Sequence, residues 1–187
     1  YDLVENTTFF WPVMPSLCNE PKGRKSLTEQ EMEDIAKSFT LGSHTISHQL
    51  LTRIPLDIAK REIFESRELL QKKFNQPVNT LSWPRGYSNA DLQKLAQDAG
   101  YTSARSTLVG YIHEGENPYF QETTVHVGYD RKEYGGKGWL EYALYMLELA
   151  ADTKDSVYHA WGHSYEITKY NAWDDFEVLL KRLKEHV

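Results

Sequence analysis

Segments with the period of a strand alternate with segments with the period of a helix along almost the whole chain, and this alternation restricts the fold more than any other feature of the sequence. Strand, helix and strand in succession make βα units, whose strands run parallel in one sheet. Six candidate strands are spaced in this way: Thr7 to Trp11, stopped by Pro12; Phe39 to Ser43; Val78 to Trp83, ended by Pro84; Tyr101 to Arg105; Val125 to Val127; and Ser156 to Trp161. Between them the spacing predicts helices. Thr28-Glu29-Gln30-Glu31 has the Thr-x-x-Glu form of a capping box, with Met32, Ile35, Ala36 and Phe39 following at helical spacing. Leu56, Ala59, Ile63, Leu69, Leu70 and Phe74 mark an amphipathic helix. Asp91 to Ala99 has Asn89 as a cap and Gly100 where a C-terminal glycine belongs. Gly138 to Ala151 and Asp174 to His186 complete the set, and Val13 to Ser26 reads as a loop. The chain has 187 residues and no repeat or linker, so one domain over residues 1–187 is the economical organisation.

Composition narrows the partners. The formal charge is −6 and the longest basic cluster is Lys22-Gly23-Arg24-Lys25, which disfavours a nucleic-acid partner. The single cysteine, Cys18, excludes an intrachain disulfide and a cysteine-rich zinc module, and it selects no compartment. No apolar run approaches the roughly 20 residues of a membrane span.

Chemistry-bearing residues gather at strand ends, where α/β barrels place their sites. In His44-Thr45-Ile46-Ser47-His48, two imidazoles four residues apart share a metal ion if the backbone turns tightly, and Gly42-Ser43 before them suits a turn. Otherwise they are ordinary loop histidines. In Val157-Tyr158-His159-Ala160-Trp161-Gly162-His163, alternation puts His159, Trp161 and His163 on one face; His163 then points into a site or hydrogen-bonds Glu166 or Tyr165. Pro84-Arg85-Gly86 is a tight turn, either a plain one or one that offers a backbone N–H to an oxyanion. Arg105 ends a strand and calls for a carboxylate partner. His113, His126 and His186 lack metal-ligand spacing and read as ordinary surface or core residues. The five tryptophans read mostly as core, with one or two available to stack on a sugar ring.

Taken in order, these motifs resemble the polysaccharide deacetylase family, metal-dependent carbohydrate esterases on a distorted (β/α)7 barrel. Thr7-Thr8-Phe9-Phe10 is similar to the family's Ala-Thr-Phe-Phe strand, His44 to His48 to its His-(Ser/Thr)-x-x-His metal motif, and Ser82-Trp83-Pro84-Arg85-Gly86 to its Arg-x-Pro-x-Gly motif. Trp161-Gly162-His163 falls where the family has a strand-end catalytic histidine. The resemblance implies a divalent metal, most simply zinc, held by His44, His48 and an aspartate. It further implies a carboxylate base, His163 as the acid with His159 as its rival, an oxyanion contact from the Arg85 N–H, and an acetylated glycan as substrate. Thr45 and Ser47 would orient the histidine loop.

Three departures accompany it. The family's Thr-Phe-Asp-Asp-Gly motif, source of the base and one metal ligand, is absent from these residues; the expectation is that it and a first strand lie upstream of Tyr1. Ser82 replaces the arginine that holds the base, which leaves that role to Arg105 or Arg85. The Asp-x-x-Asp-Trp motif has only Asp130 as a candidate. The function expected is removal of acetyl groups from an N- or O-acetylated carbohydrate. The alternatives are a degenerate barrel that binds a glycan through aromatic residues, and an unrelated metallohydrolase.

Overall fold

The capping box forms. Thr28 Oγ1 accepts from the Glu31 N–H at 3.2 Å and Glu31 Oε2 accepts from the Thr28 N–H at 2.7 Å, so α1 (Glu29–Ser38) starts with two otherwise unpaired donors satisfied. The structure is a computed structural model that describes residues 27–186. The expected strand Thr7 to Trp11, the loop Val13 to Ser26 and Cys18 lie outside the described residues. The chain divides into two units, residues 1–104 and 105–187.

In the first unit α1 is followed by α2 (Leu56–Phe74), β1 (Thr80–Ser82), α3 (Ala90–Asp98) and β2 (Ser103–Arg105), which runs to the unit boundary. β1 pairs with β2, and Ser43 makes a single parallel bridge to Leu81 through Ser43 N–H to Thr80 O and Ser82 N–H to Ser43 O, both 2.8 Å. Val78, Leu81 and Trp83 are buried along the β1 segment, as are Ala59 and Ile63 on α2 and Leu92 and Ala96 on α3. Each of the large ones contributes about 1.5–3 kcal/mol by leaving water.

Two sequence expectations shift here. Phe39 is the C-cap of α1 and is exposed, because its extended backbone already leaves the helix. On α2 the bounds are as expected but the buried stripe is Ala59, Glu62, Ile63 and Ser66, while Leu56 and Leu69 are exposed. The buried face therefore includes a carboxylate and a hydroxyl. Past α3, Gly100 at φ +88° closes a paired cap: its N–H reaches Gln97 O and the Tyr101 N–H reaches Ala96 O.

The second unit contains β3 (Val125–Val127), α4 (Trp139–Ala151), β4 (Ala160–Gly162), α5 (Ser164–Lys169) and α6 (Trp173–Lys184). β3 and β4 are parallel, with Val125 opposite Ala160, His126 opposite Trp161 and Val127 opposite Gly162. β4 begins later than the expected Ser156, since the Val157 N–H bonds to Ile112 O at 2.7 Å and so leaves the ladder. Helix α5 has no clear signature in the sequence: it is six residues long with only Ile167 buried. The core comprises Val125, Val127, Tyr134, Trp139, Ala143, Ile167, Ala172 and Leu179.

Strands and helices thus alternate as an α/β fold. Among the described residues the strands form two two-stranded sheets and no closed barrel.

Candidate functional site

The segment after the Ser43 bridge carries both histidines of the expected pair, and the turn it makes is unusual. Gly42 does not turn it; Thr45 (φ 68°) and His48 (φ 55°) do, two non-glycine residues in the left-handed region. Such a backbone costs about 1–3 kcal/mol at each position and persists where its surroundings over-determine it. Here they do. Ser43 Oγ accepts from the Thr45 N–H at 3.2 Å, and Thr45 Oγ1 accepts from the His48 N–H at 3.2 Å. The Glu62 carboxylate accepts from the N–H groups of Ile46 (2.9 Å) and Ser47 (2.8 Å) and from Ser47 Oγ–H (2.6 Å). Ser43 Oγ in turn lies 2.8 Å from Ser66 Oγ, so Ser43 and Glu62 tie the loop to the buried stripe of α2.

The two rings come together, with centroids 4.5 Å apart and planes at 73°. His44 Nδ1 lies 2.7 Å from Ser82 O. A carbonyl only accepts, so Nδ1 carries a proton, and in the neutral ring Nε2 presents its lone pair, the state a metal ligand needs. On the donor chemistry, the pair fits a divalent ion as two of its ligands. Among the described residues no carboxylate, thiol or third imidazole completes a group of three with them.

β1 ends in the turn Pro84–Gly86, where Trp83 and Pro84 are buried and Arg85 sits at φ 58°, ψ 13°. The turn is closed by the Gly86 N–H to Trp83 O bond at 2.8 Å. Ser82, the last residue of β1, serves through its carbonyl, which fixes His44.

In the second unit, His163 follows β4 directly and its Nδ1 lies 2.6 Å from Glu166 Oε2; His126 Nε2, from β3, lies 2.8 Å from the same oxygen. Two ring N–H groups on one oxygen hold the Glu166 carboxyl at about 2 even though burial pushes it the other way. His126 is buried and stacks on Trp161 with centroids 3.9 Å apart; burial holds its pKa below the ordinary value despite the carboxylate. The Arg105 guanidinium lies over the other partner of that stack, 4.9 Å from the Trp161 ring centre. His159 is also held below its ordinary value, by burial first and then by the Arg105 charge.

His126, read from the sequence as an ordinary surface or core residue, is a buried one. His126, His163 and Glu166 offer ligand-type atoms within 4.8 Å of one another. Neither linear spacing nor periodicity signals this, because the parallel register of β3 on β4 creates it. Asp130, the candidate for the fourth family motif, caps α4 by accepting the Trp139 N–H at 2.7 Å. Near it an open depression of about 530 Å³ is lined by Tyr129, Asp130, Trp139, Glu141, Tyr170 and Asp175. Its exposed aromatic faces are the two tyrosines, since Trp139 is buried.

The described elements make an α/β fold with a histidine pair in its first unit, and comparison with known proteins makes the class specific. Residues 4–104 match the family model described as Polysaccharide deacetylase, and the chain belongs to that family. It is similar to the Bacillus subtilis (strain 168) protein named "Putative polysaccharide deacetylase YxkH", with 29% identity over 94 residues, covering 50% of this chain and 34% of that protein. The chain therefore spans about a third of the length of that curated relative. Among solved structures, the Streptococcus pyogenes deacetylase PplD in complex with acetate superposes with a TM-score of 0.50 at 21% identity, over 52% of this chain and 44% of that one. A mutant of BA3943, a CE4 family pseudoenzyme, superposes with a TM-score of 0.55 at 12% identity, over 84% of this chain and 47% of that one. At these identities the likeness is one of fold.

Proposed function

We propose that the chain forms part of a metal-dependent hydrolase that removes acetyl groups from an N- or O-acetylated carbohydrate. The observation that carries this reading is the His44–His48 pair, braced in a strained turn with the His44 tautomer set by Ser82 O, inside the segment that matches the family. With it go zinc as the ion, the distorted (β/α)7 barrel and one catalytic domain over residues 1–187.

His44 and His48 would hold the ion, which when bound lowers the pKa of a water toward neutrality and polarises the acetyl carbonyl. The Arg85 N–H is assigned to the carbonyl oxygen that gains charge as water adds. His163, with Nδ1 committed to Glu166, delivers its proton from Nε2 to the leaving amine or sugar oxygen. His159 is the rival acid, and burial first and then the Arg105 charge disfavour its protonated form. The arginine role that Ser82 vacates falls to Arg85 or Arg105. The reading also requires a carboxylate base and a third ligand beyond these residues.

The test is acetate release from acetylated chito-oligosaccharides and a panel of other acetylated sugars, with zinc present. His44→Ala and His48→Ala are expected to abolish both zinc binding and turnover; His163→Ala should keep the metal and lose most turnover. If His159→Ala gives that last phenotype instead, the acid is His159. No release on any substrate by the full-length protein, with zinc bound, overturns the hydrolase reading and leaves the glycan-binding alternative.

A further inference from the structure

Glu62 is one of four residues on the buried stripe of α2 and the only charged one, and it is 7% exposed. A buried carboxylate must find donors, and on an amphipathic helix they are commonly basic side chains or water. Glu62 finds them in the histidine loop. Its Oε2 takes the N–H groups of Ile46 and Ser47, and its Oε1 takes the Ser47 hydroxyl, with the Gln49 amide at 3.5 Å and on Ser47 Oγ at 2.8 Å. Every residue it holds lies between or just beyond Thr45 and His48, the two positions at positive φ. His44 is fixed separately, from β1, by Ser82 O.

The two rings are thus held from different elements. One is set by a strand carbonyl; the other depends on the turn that Glu62 clamps.

We infer that Glu62 is a positioning residue for metal binding: it holds the Thr45–His48 turn so that the His48 ring meets His44 at ligand range. The inference rests on the metal reading of His44 and His48 given above. A neutral, acceptor-free side chain at position 62 leaves the Ile46 and Ser47 N–H groups to seek water, and the left-handed backbone at His48 relaxes. The binding geometry then has to be rebuilt by each incoming ion.

The test is zinc affinity of the full chain, measured by competition with a chromophoric chelator, alongside the visible spectrum of the cobalt-substituted protein. Glu62→Leu keeps the volume and removes both acceptors; the expected result is zinc binding weaker by about 10–100-fold, the range seen when outer partners of metal ligands are lost, with altered cobalt bands. Glu62→Gln retains one oxygen for the two N–H groups and is expected to recover affinity to within about threefold of the parent, since acceptance rather than charge is what the turn needs. A residue that merely supports the fold would lower the melting temperature and leave both readouts unchanged in the folded protein, and that result overturns the inference. Should Glu62→Leu fail to fold, Ser47→Ala removes one of the same contacts, and unchanged affinity and cobalt spectrum there overturn it equally. Parent protein that binds no zinc, or a His44→Ala variant that binds it undiminished, brings down the metal reading and the inference together.

Discussion

One carboxylate oxygen serves two imidazoles at the end of β4, and this makes the second unit sensitive to acid in a definable way. The Glu166 carboxyl is held at about 2 against an ordinary value of 4.5, so its contribution is fully present above 4.5 and is lost as pH falls toward 2. His126 is held below its ordinary 6.5, so it stays neutral in the folded unit while the unfolded chain takes up the proton; that contribution also declines as pH falls below 6.5. Denaturant melts between pH 7 and pH 3 are expected to show stability falling throughout. Glu166→Gln should flatten the part below 4.5 and steepen the part below 6.5, since His126 loses the carboxylate that favours its charged form. The spacing of His44 and His48 puts them forward as a pair, with ordinary loop histidines as the other reading, and the structure brings their rings to 4.5 Å. The carboxylates that hold each site carry no such mark, because Glu62 and Glu166 look like solvent-facing charges until helix phase and strand register place them.

At the scale of the element, local signals were the reliable ones. The capping box at Thr28, the Asn89 cap on the Leu92 N–H and the glycine after α3 are all read from neighbours within a few residues, and all are found. β3 coincides with Val125–Val127. β4 does not match its expected span, because whether a residue joins a ladder is decided by a distant partner, here Ile112 against Val157. Gly100→Ala is expected to destabilise the first unit by about 1 kcal/mol or more, for the left-handed backbone alone, with Arg67 Nη1 at 3.2 Å from the new methyl adding to it. Equilibrium unfolding checks this. Gly162→Ala is a sharper probe of function: its methyl would stand 2.9 Å from the Val127 carbonyl oxygen, so β4 must shift off β3 and take His163 with it. On the proposed hydrolase reading, turnover should fall further than stability does.

For the whole molecule, an ion that binds only the folded first unit adds stability by mass action. Zinc at about 100 times its dissociation constant should contribute about 2.7 kcal/mol, seen as a rise in melting temperature that a chelator reverses and that His44→Ala abolishes. The α/β class is legible from the alternation of periods, which is a property of the chain alone. Closure into a barrel depends on pairings between distant strands, and no local pattern encodes them.

Trp83 gives this last measurement its own signal. Its indole is wholly shielded from solvent, and it is the next residue after the carbonyl that holds His44. A shielded indole emits at shorter wavelength than a wet one such as Trp173, and because Trp139 is buried too, the difference between the parent and Trp83→Phe isolates the share of Trp83. The residue just past β1 is in effect a lamp one position along the chain from the group that fixes His44, and on the metal reading its emission is the place to watch for a change as zinc is added.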